Sequence, residues 1–97
     1  MAKPIRQHRI KISGKVWTFK VVRLRGKSQG WCYSEGAADS HKILIDDRVF
    51  NKKQGLEVVI HETLHALHPQ LSEESVTFTA FDLAKVLSIL GWKKDES

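Results

Sequence analysis

The 97-residue chain contains a single cysteine, Cys32, and no acidic residue among its first thirty positions. A single cysteine excludes an intramolecular disulfide and gives no sign of an oxidising compartment. No apolar run approaches the roughly 18 to 20 residues that a membrane span needs, and the N-terminus lacks the apolar segment of a signal peptide. We therefore expect a cytoplasmic protein with no membrane partner.

The overall composition fits one small globular domain. Hydrophobic residues make up 41% of the chain, which is enough for a single modest core and too little for two domains at this length. We expect residues 1–97 to form one α+β domain in which an antiparallel sheet of three to four strands packs on two helices. A metal ion that binds only the folded chain would add stability that such a small core lacks.

Positive charge is concentrated in the N-terminal third. Residues 1–30 carry nine Lys or Arg and no acid, so their formal charge is +9, whereas the rest of the chain carries −4. This asymmetry is typical of proteins that bind nucleic acid or an acidic partner. The simpler explanation is a lysine-rich solvent face of a strand pair, and the absence of a nucleic-acid-binding motif slightly favours it.

Residues 8–24 predict a basic β-hairpin, because segments of alternating apolar and polar residues flank the dipeptide Ser13-Gly14. A two-residue turn fixes the register of the two strands and places Ile10 opposite Trp17. The face that carries these two side chains is the expected core side of the hairpin.

Two helices are predicted near the C-terminus, over residues 54–68 and 72–91. Pro69 ends the first helix, because proline cannot continue the hydrogen-bond ladder. Ser72 is a favourable N-cap for the second helix, and Gly91 is a favourable residue to terminate it. A short turn between the two helices predicts that they lie side by side.

The first predicted helix carries the motif H-E-x-x-H as His61-Glu62-Thr63-Leu64-His65. Residues four apart lie on one face of a helix, so the two imidazoles can reach the same ion. Neutral imidazoles suit Zn²⁺, and the carboxylate beside the first of them can take a proton from a zinc-bound water. The motif therefore predicts His61 and His65 as zinc ligands and Glu62 as a catalytic base.

A catalytic zinc site has three protein ligands and one open position. Helical periodicity turns Glu73 towards the first helix, whereas Glu74 lies on the flank of the second helix. Glu73 is therefore the expected third ligand, with Glu74, and His68 at the end of the first helix, as alternatives. Two acids in the first turn would also complement the helix dipole without any metal.

These motifs resemble those of the minimal gluzincins, small zincin peptidases that include phage-encoded members and relatives of SprT-like and ImmA-type proteins. The resemblance covers residues 42–90. Residues 73–80 match the first and last positions of the family pattern E-x-x-A-[ND]-x-F-A with Glu73 and Ala80, and they depart from it at Val76, Thr77 and Thr79. It implies a zincin-like fold, Zn²⁺ as cofactor, and hydrolysis of a peptide or protein substrate with Glu62 as general base. It also implies that residues 42–46 form an edge strand that pairs with an extended substrate.

Two further functions are compatible with the sequence. A zincin-like domain can bind metal without cleaving and act as an interaction module, and the basic N-terminal third could bring the domain to nucleic acid. For the stabilisation of an oxyanion, Tyr33 and His41 are candidates by position alone.

Overall fold

A computed structural model describes residues 6–33 and 41–92 as a small α+β fold, the class that the sequence predicts. Its elements in chain order are β1 (Arg6–Ile12), β2 (Lys15–Val22), β3 (Gly30–Tyr33), β4 (Lys42–Asp46), α1 (Asp47–Phe50), α2 (Gln54–Leu67) and α3 (Glu73–Ile89). The short helix α1 is additional to the two predicted helices. Of the predicted domain, residues 1–5, 34–40 and 93–97 lie outside the described ranges.

The four strands form one sheet in the order β1-β2-β4-β3. β1 and β2 are antiparallel with Ile10 opposite Trp17, as predicted. The prediction of a purely antiparallel sheet is wrong, because β2 and β4 run parallel. Two parallel neighbours need a long crossover, and residues 23–41, which include β3, provide it.

The turn of the hairpin explains why its register could be predicted. Ser13 and Gly14 both have positive φ, at 51° and 81°. Positive φ at both central residues is the type I′ geometry, whose twist matches that of the two flanking strands.

The strand at residues 42–46 is present as β4, but it lies inside the sheet between β2 and β3. The prediction that it is an edge strand is therefore wrong. The sheet edges are β1 and β3, and β3 is the edge strand that packs against α2.

The core lies between one face of the sheet and the helices. Phe19 and Val21 of β2 pair with Ile43 and Ile45 of β4, so these side chains share one face of the sheet, which we call the inner face. The buried apolar residues are Trp17, Val21, Ile43, Ile45, Val49, Val58, Val76 and Ala80. The other side of the sheet, which we call the outer face, carries the intervening residues and points away from α2.

Helices α2 and α3 form an antiparallel pair whose ends agree with the predicted ends within two residues. The Ser72 hydroxyl accepts a hydrogen bond from the Ser75 backbone N–H at 3.0 Å and caps α3. Gly91, at φ 90°, terminates that helix in the left-handed conformation. Val76 and Ala80 of α3 are fully buried. Neither helix, nor any other in the described residues, is long and apolar enough to cross a membrane.

Candidate metal centre

The two histidines of the H-E-x-x-H motif lie one turn apart on α2. Their ring centroids are 4.9 Å apart, and their ring planes meet at 70°. The side chains of His61 and His65 are 22% and 27% exposed, so both rings reach solvent from a largely covered position. This arrangement is the one that a spacing of four residues on a helix predicts.

Glu73, the first residue of α3, places its carboxylate against both imidazoles. Its Oε1 lies 2.8 Å from His65 Nε2, and its Oε2 lies 3.2 Å from His61 Nε2. The Ser72 cap fixes where α3 begins and therefore where this side chain leaves the helix. The inward direction predicted for Glu73 is confirmed, and the three residues present ligand atoms within 4.8 Å of one another.

Two of the separations between these donors are close to those around a zinc ion. Zinc bonds of about 2.0 to 2.1 Å in tetrahedral geometry separate neighbouring ligand atoms by ~3.3 Å. The two shortest distances from Glu73 oxygens to the histidine nitrogens, 2.8 and 3.2 Å, lie close to that separation. Two imidazoles and a carboxylate are also a donor set that catalytic zinc uses. Because the Glu73 side chain is 66% exposed, the cluster borders on solvent, where a fourth ligand could enter.

Glu62 occupies a different environment from Glu73, because it is buried with 9% exposure. Burial raises the pKa of its carboxyl group, an effect that His61 and His65 partly oppose and that Glu73 reinforces. A buried acid with a raised pKa, next to a donor cluster, is typical of a carboxyl group that transfers protons. Sequence periodicity placed Glu62 beside the histidines but did not reveal its burial.

Strand β3 forms the wall against which Glu62 packs. A Cβ atom added to Gly30 would lie 2.9 Å from Glu62 Cγ and 3.0 Å from Glu62 Oε2, so the glycine leaves the space that this carboxylate fills. On the same inner face, burial and the nearby Glu62 raise the pKa of the Cys32 thiol to about 11, which keeps it protonated. Neither Gly30 nor Cys32 was predicted at the site, although a glycine inside a strand is a known sign of close approach by another group.

The alternative ligands lie outside the cluster. Glu74 and His68 are both exposed, and neither belongs to the donor group that the described residues form. His68 follows the end of α2 with φ −135° and ψ 70°, so it has left the helical face that His61 and His65 share.

Neither candidate oxyanion group joins the cluster. Tyr33 alternates with Cys32 along β3, so its ring lies on the outer face of the sheet, where it stacks with Trp31. His41 packs edge-on against the core residue Trp17 at a centroid distance of 5.0 Å. The donor group in the described residues contains neither side chain.

A second polar cluster surrounds Asp46 at the end of β4. The buried carboxylate accepts hydrogen bonds from Arg48 Nη2 at 2.6 Å, from the Arg48 backbone N–H at 2.7 Å and from the Leu24 backbone N–H at 3.2 Å. The Arg48 side-chain hydrogen bond is the main reason that the pKa of Asp46 falls to about 2. This cluster joins the segment after β2 to the start of α1.

Part of the basic N-terminal third has intramolecular partners. Arg23 donates to Asp47 at 2.6 Å, and the guanidinium of Arg6 lies 5.5 Å from the ring centroid of Phe50. Arg9 and Lys11 are exposed on β1. The predicted solvent face of the hairpin is therefore present.

Comparison of the chain with protein-family models, with curated proteins and with solved structures found no match. The basis for inferring function is therefore the geometry and chemistry of His61, His65, Glu73 and Glu62.

Proposed function

We propose that this chain is a zinc-dependent metallopeptidase in which His61, His65 and Glu73 hold Zn²⁺ and Glu62 is the general base. The observation that supports this most strongly is the convergence of two imidazoles and one carboxylate, from two separate helices, next to a second acid that is buried. A purely structural cluster would need only one of the two acids. The zincin-like motifs in residues 42–90 support the same proposal.

In the proposed mechanism, Glu73 is a metal ligand and Glu62 transfers protons. A bound zinc ion supplies Lewis acidity, which polarises a peptide carbonyl and makes water more acidic. Glu62 accepts the proton of the attacking water and returns it to the leaving amine nitrogen as the C–N bond breaks. The raised pKa of Glu62 makes its carboxylate a stronger base, which favours the step in which it accepts the proton of the attacking water.

Strand β3 is the proposed binding edge for an extended substrate. It is an edge strand, and none of the described residues pairs with the edge that is turned away from β4. Gly30 places this strand directly against Glu62. A peptide that added itself to β3 through main-chain hydrogen bonds would therefore run beside the proposed base. This role replaces the one that the sequence predicted for residues 42–46.

The test is cleavage of a proteome-derived peptide library by the zinc-loaded chain, read by mass spectrometry. We expect new termini with the wild type, and a loss of 10²- to 10⁴-fold in rate with Glu62→Gln, because general base catalysis contributes about that factor. Glu74→Gln is the matched control, since it removes an exposed acid outside the cluster, and it should cleave normally.

Two outcomes would contradict the peptidase proposal. If Glu62→Gln cleaves as fast as the wild type, Glu62 is not the base. If the wild type binds zinc and cleaves no peptide, the domain is instead a metal-binding module without peptidase activity.

A further inference from the structure

The outer face of the sheet brings together residues that are far apart in the chain. The strand register aligns one row across all four strands, formed by Arg9, Thr18, Lys42 and Tyr33. The next row on the same face is formed by Gln7, Lys20, Leu44 and Trp31. The aromatic residues therefore occupy the β3 end of this face, and basic residues occupy the middle and the β1 end.

The two aromatic side chains form an accessible platform. Trp31 and Tyr33 are 49% and 38% exposed. Their rings are 6.4 Å apart between centroids and nearly parallel, at 20°. The Lys42 ammonium lies 5.1 Å from the Tyr33 ring centroid, so positive charge borders the platform directly. Exposed aromatic rings beside cations are what single-stranded nucleic acids use for stacking.

The charge on this face has one sign. Its strand positions hold the cations Arg9, Lys11, Lys20 and Lys42, of which the first two are exposed. The one acid at an outer-face strand position, Asp46, is buried and already paired with Arg48. The exposed strand positions of this face therefore include the cations Arg9 and Lys11 and no acid.

We propose that the outer face binds single-stranded nucleic acid, with bases stacked on Trp31 and Tyr33 and phosphates held by Lys42, Lys20 and Arg9. Neighbouring strands are about 4.8 Å apart, so the cations extend ~5 to 14 Å from the β3 platform. A single strand can present unstacked bases and its phosphates to such a surface together. A duplex is a poorer ligand for this face, because its bases are already stacked on one another. An acidic peptide is also a poorer ligand, because it carries negative charge but no bases.

This binding site is separate from the proposed zinc site. Gly30 and Cys32 face α2 and Glu62, whereas Trp31 and Tyr33 alternate with them and face the other way. The proposal therefore goes beyond peptidase activity, and each can fail without the other.

The first experiment measures fluorescence anisotropy of labelled oligonucleotides of about 12 residues, a length within the usual site size. The full chain is titrated against oligo-dT, oligo-U and a duplex of equal length, and a flotation assay uses vesicles rich in phosphatidylserine. We expect both single strands to bind at least tenfold more tightly than the duplex, and we expect no flotation with the vesicles. The comparison of oligo-dT with oligo-U distinguishes DNA from RNA as the preferred strand.

Substitutions then locate the site on the outer face. Trp31→Ala should weaken binding by about tenfold to a hundredfold, the usual effect of removing one stacking ring. Trp31→Phe should restore most of that loss, because a ring is again present. Phe78→Ala is the matched control, since Phe78 is 63% exposed on α3, and it should bind as the wild type does.

Salt dependence tests the cations. Lys42→Gln should reduce the slope of log affinity against log salt concentration by ~0.7, the value for one phosphate contact with a single strand. Lys85→Gln, which changes an exposed lysine on α3, should leave the slope unchanged.

Three results would overturn the proposal. The first is undetectable binding of both single strands at low salt. The second is unchanged binding by the folded Trp31→Ala variant. The third is binding of the duplex or the vesicles that is at least as tight as binding of the single strands. Circular dichroism shows whether Trp31→Ala is folded. If it is not, Tyr33→Ala, which removes the other ring of the platform, decides the result: unchanged binding by folded Tyr33→Ala would overturn the proposal.

Discussion

The protein contains two carboxylate clusters, and they differ in the groups that contact the acid. Around Asp46, the charge is matched inside the chain by Arg48, which is cationic at every ordinary pH, and by backbone donors. Around Glu73, the partners are two imidazoles, which are cationic only when protonated. The second cluster places two imidazole nitrogens and a carboxylate oxygen within 4.8 Å of one another, as a metal site does.

Exposure and contacts distinguish a structural acid from a ligand acid in this fold. Asp46 is 1% exposed and has no open side, so its contacts already complete its environment. Glu73 is two-thirds exposed, and its carboxylate contacts both histidine rings while it also borders on solvent. Among the described residues, the Glu73 cluster has no arginine or lysine beside its carboxylate, so it is the cluster to test for a bound metal ion.

The largest expected contrast between the clusters is their response to zinc. Zinc at a thousandfold excess over its dissociation constant should stabilise the wild type by ~4 kcal/mol, because the ion binds the folded chain. His65→Ala should lose this stabilisation, and Asp46→Asn should keep it. Chemical denaturation with and without a chelator measures the shift. A zinc-dependent shift in His65→Ala equal to that of the wild type would remove His65 from the site.

The next contrast concerns stability without metal. Asp46→Ala should lower the free energy of unfolding by about 2 to 4 kcal/mol, because it removes charge-assisted hydrogen bonds and leaves buried donors unpaired. Asp47→Asn is the control, since its partner Arg23 is 57% exposed and such surface pairs contribute at most about 1 kcal/mol. Equal losses in the two variants would contradict the structural role of Asp46.

The same cluster predicts a pH dependence with a definite sign. The pKa of Asp46 is lowered from 3.8 to about 2, so its ionised form favours the folded state. This stabilisation is complete above the unfolded value and is lost as the pH falls towards 2. Acid titration of unfolding should therefore show a weaker slope between these values in Asp46→Asn. An identical slope in variant and wild type would mean that Asp46 titrates normally.

A smaller effect is expected at the contact between β3 and the proposed base. Gly30→Ala places a methyl group where Glu62 packs, so we expect roughly a tenfold loss of cleavage rate with zinc affinity retained, since small misplacements of catalytic groups are costly. Separate measurements of zinc binding and of cleavage distinguish this from a loss of metal. Unchanged cleavage would show that Glu62 tolerates displacement.

The smallest expected effect is the loss of folding stability that the buried Glu62 carboxylate causes. Its pKa is raised by burial, so the ionised form disfavours folding and stability falls as the pH rises through the range above its usual value. Metal-free Glu62→Gln should therefore be at least as stable as the wild type at pH 7, with a smaller advantage at pH 4. Denaturation at the two pH values measures this, and a variant less stable at pH 7 would contradict the assigned cause.

Local patterns in the sequence were enough to predict much of this molecule. The turn at Ser13-Gly14 fixed the hairpin register, and helical spacing brought His61, His65 and Glu73 together correctly. Long-range strand pairing has no such local signal. The parallel pairing of β4, the position of Gly30 against Glu62 and the alignment of Trp31 with Lys20 all depend on strand order. The burial of Asp46 depends on it as well.

The central claim is that the chain holds one zinc ion between α2 and α3. Its most direct test is the metal content of the wild type and of His61→Ala, both purified without added zinc and analysed by elemental mass spectrometry. We predict close to one zinc per wild-type chain and almost none in the variant. Wild-type protein with only trace zinc that also fails to bind added zinc, or equal zinc in both proteins, would contradict the claim.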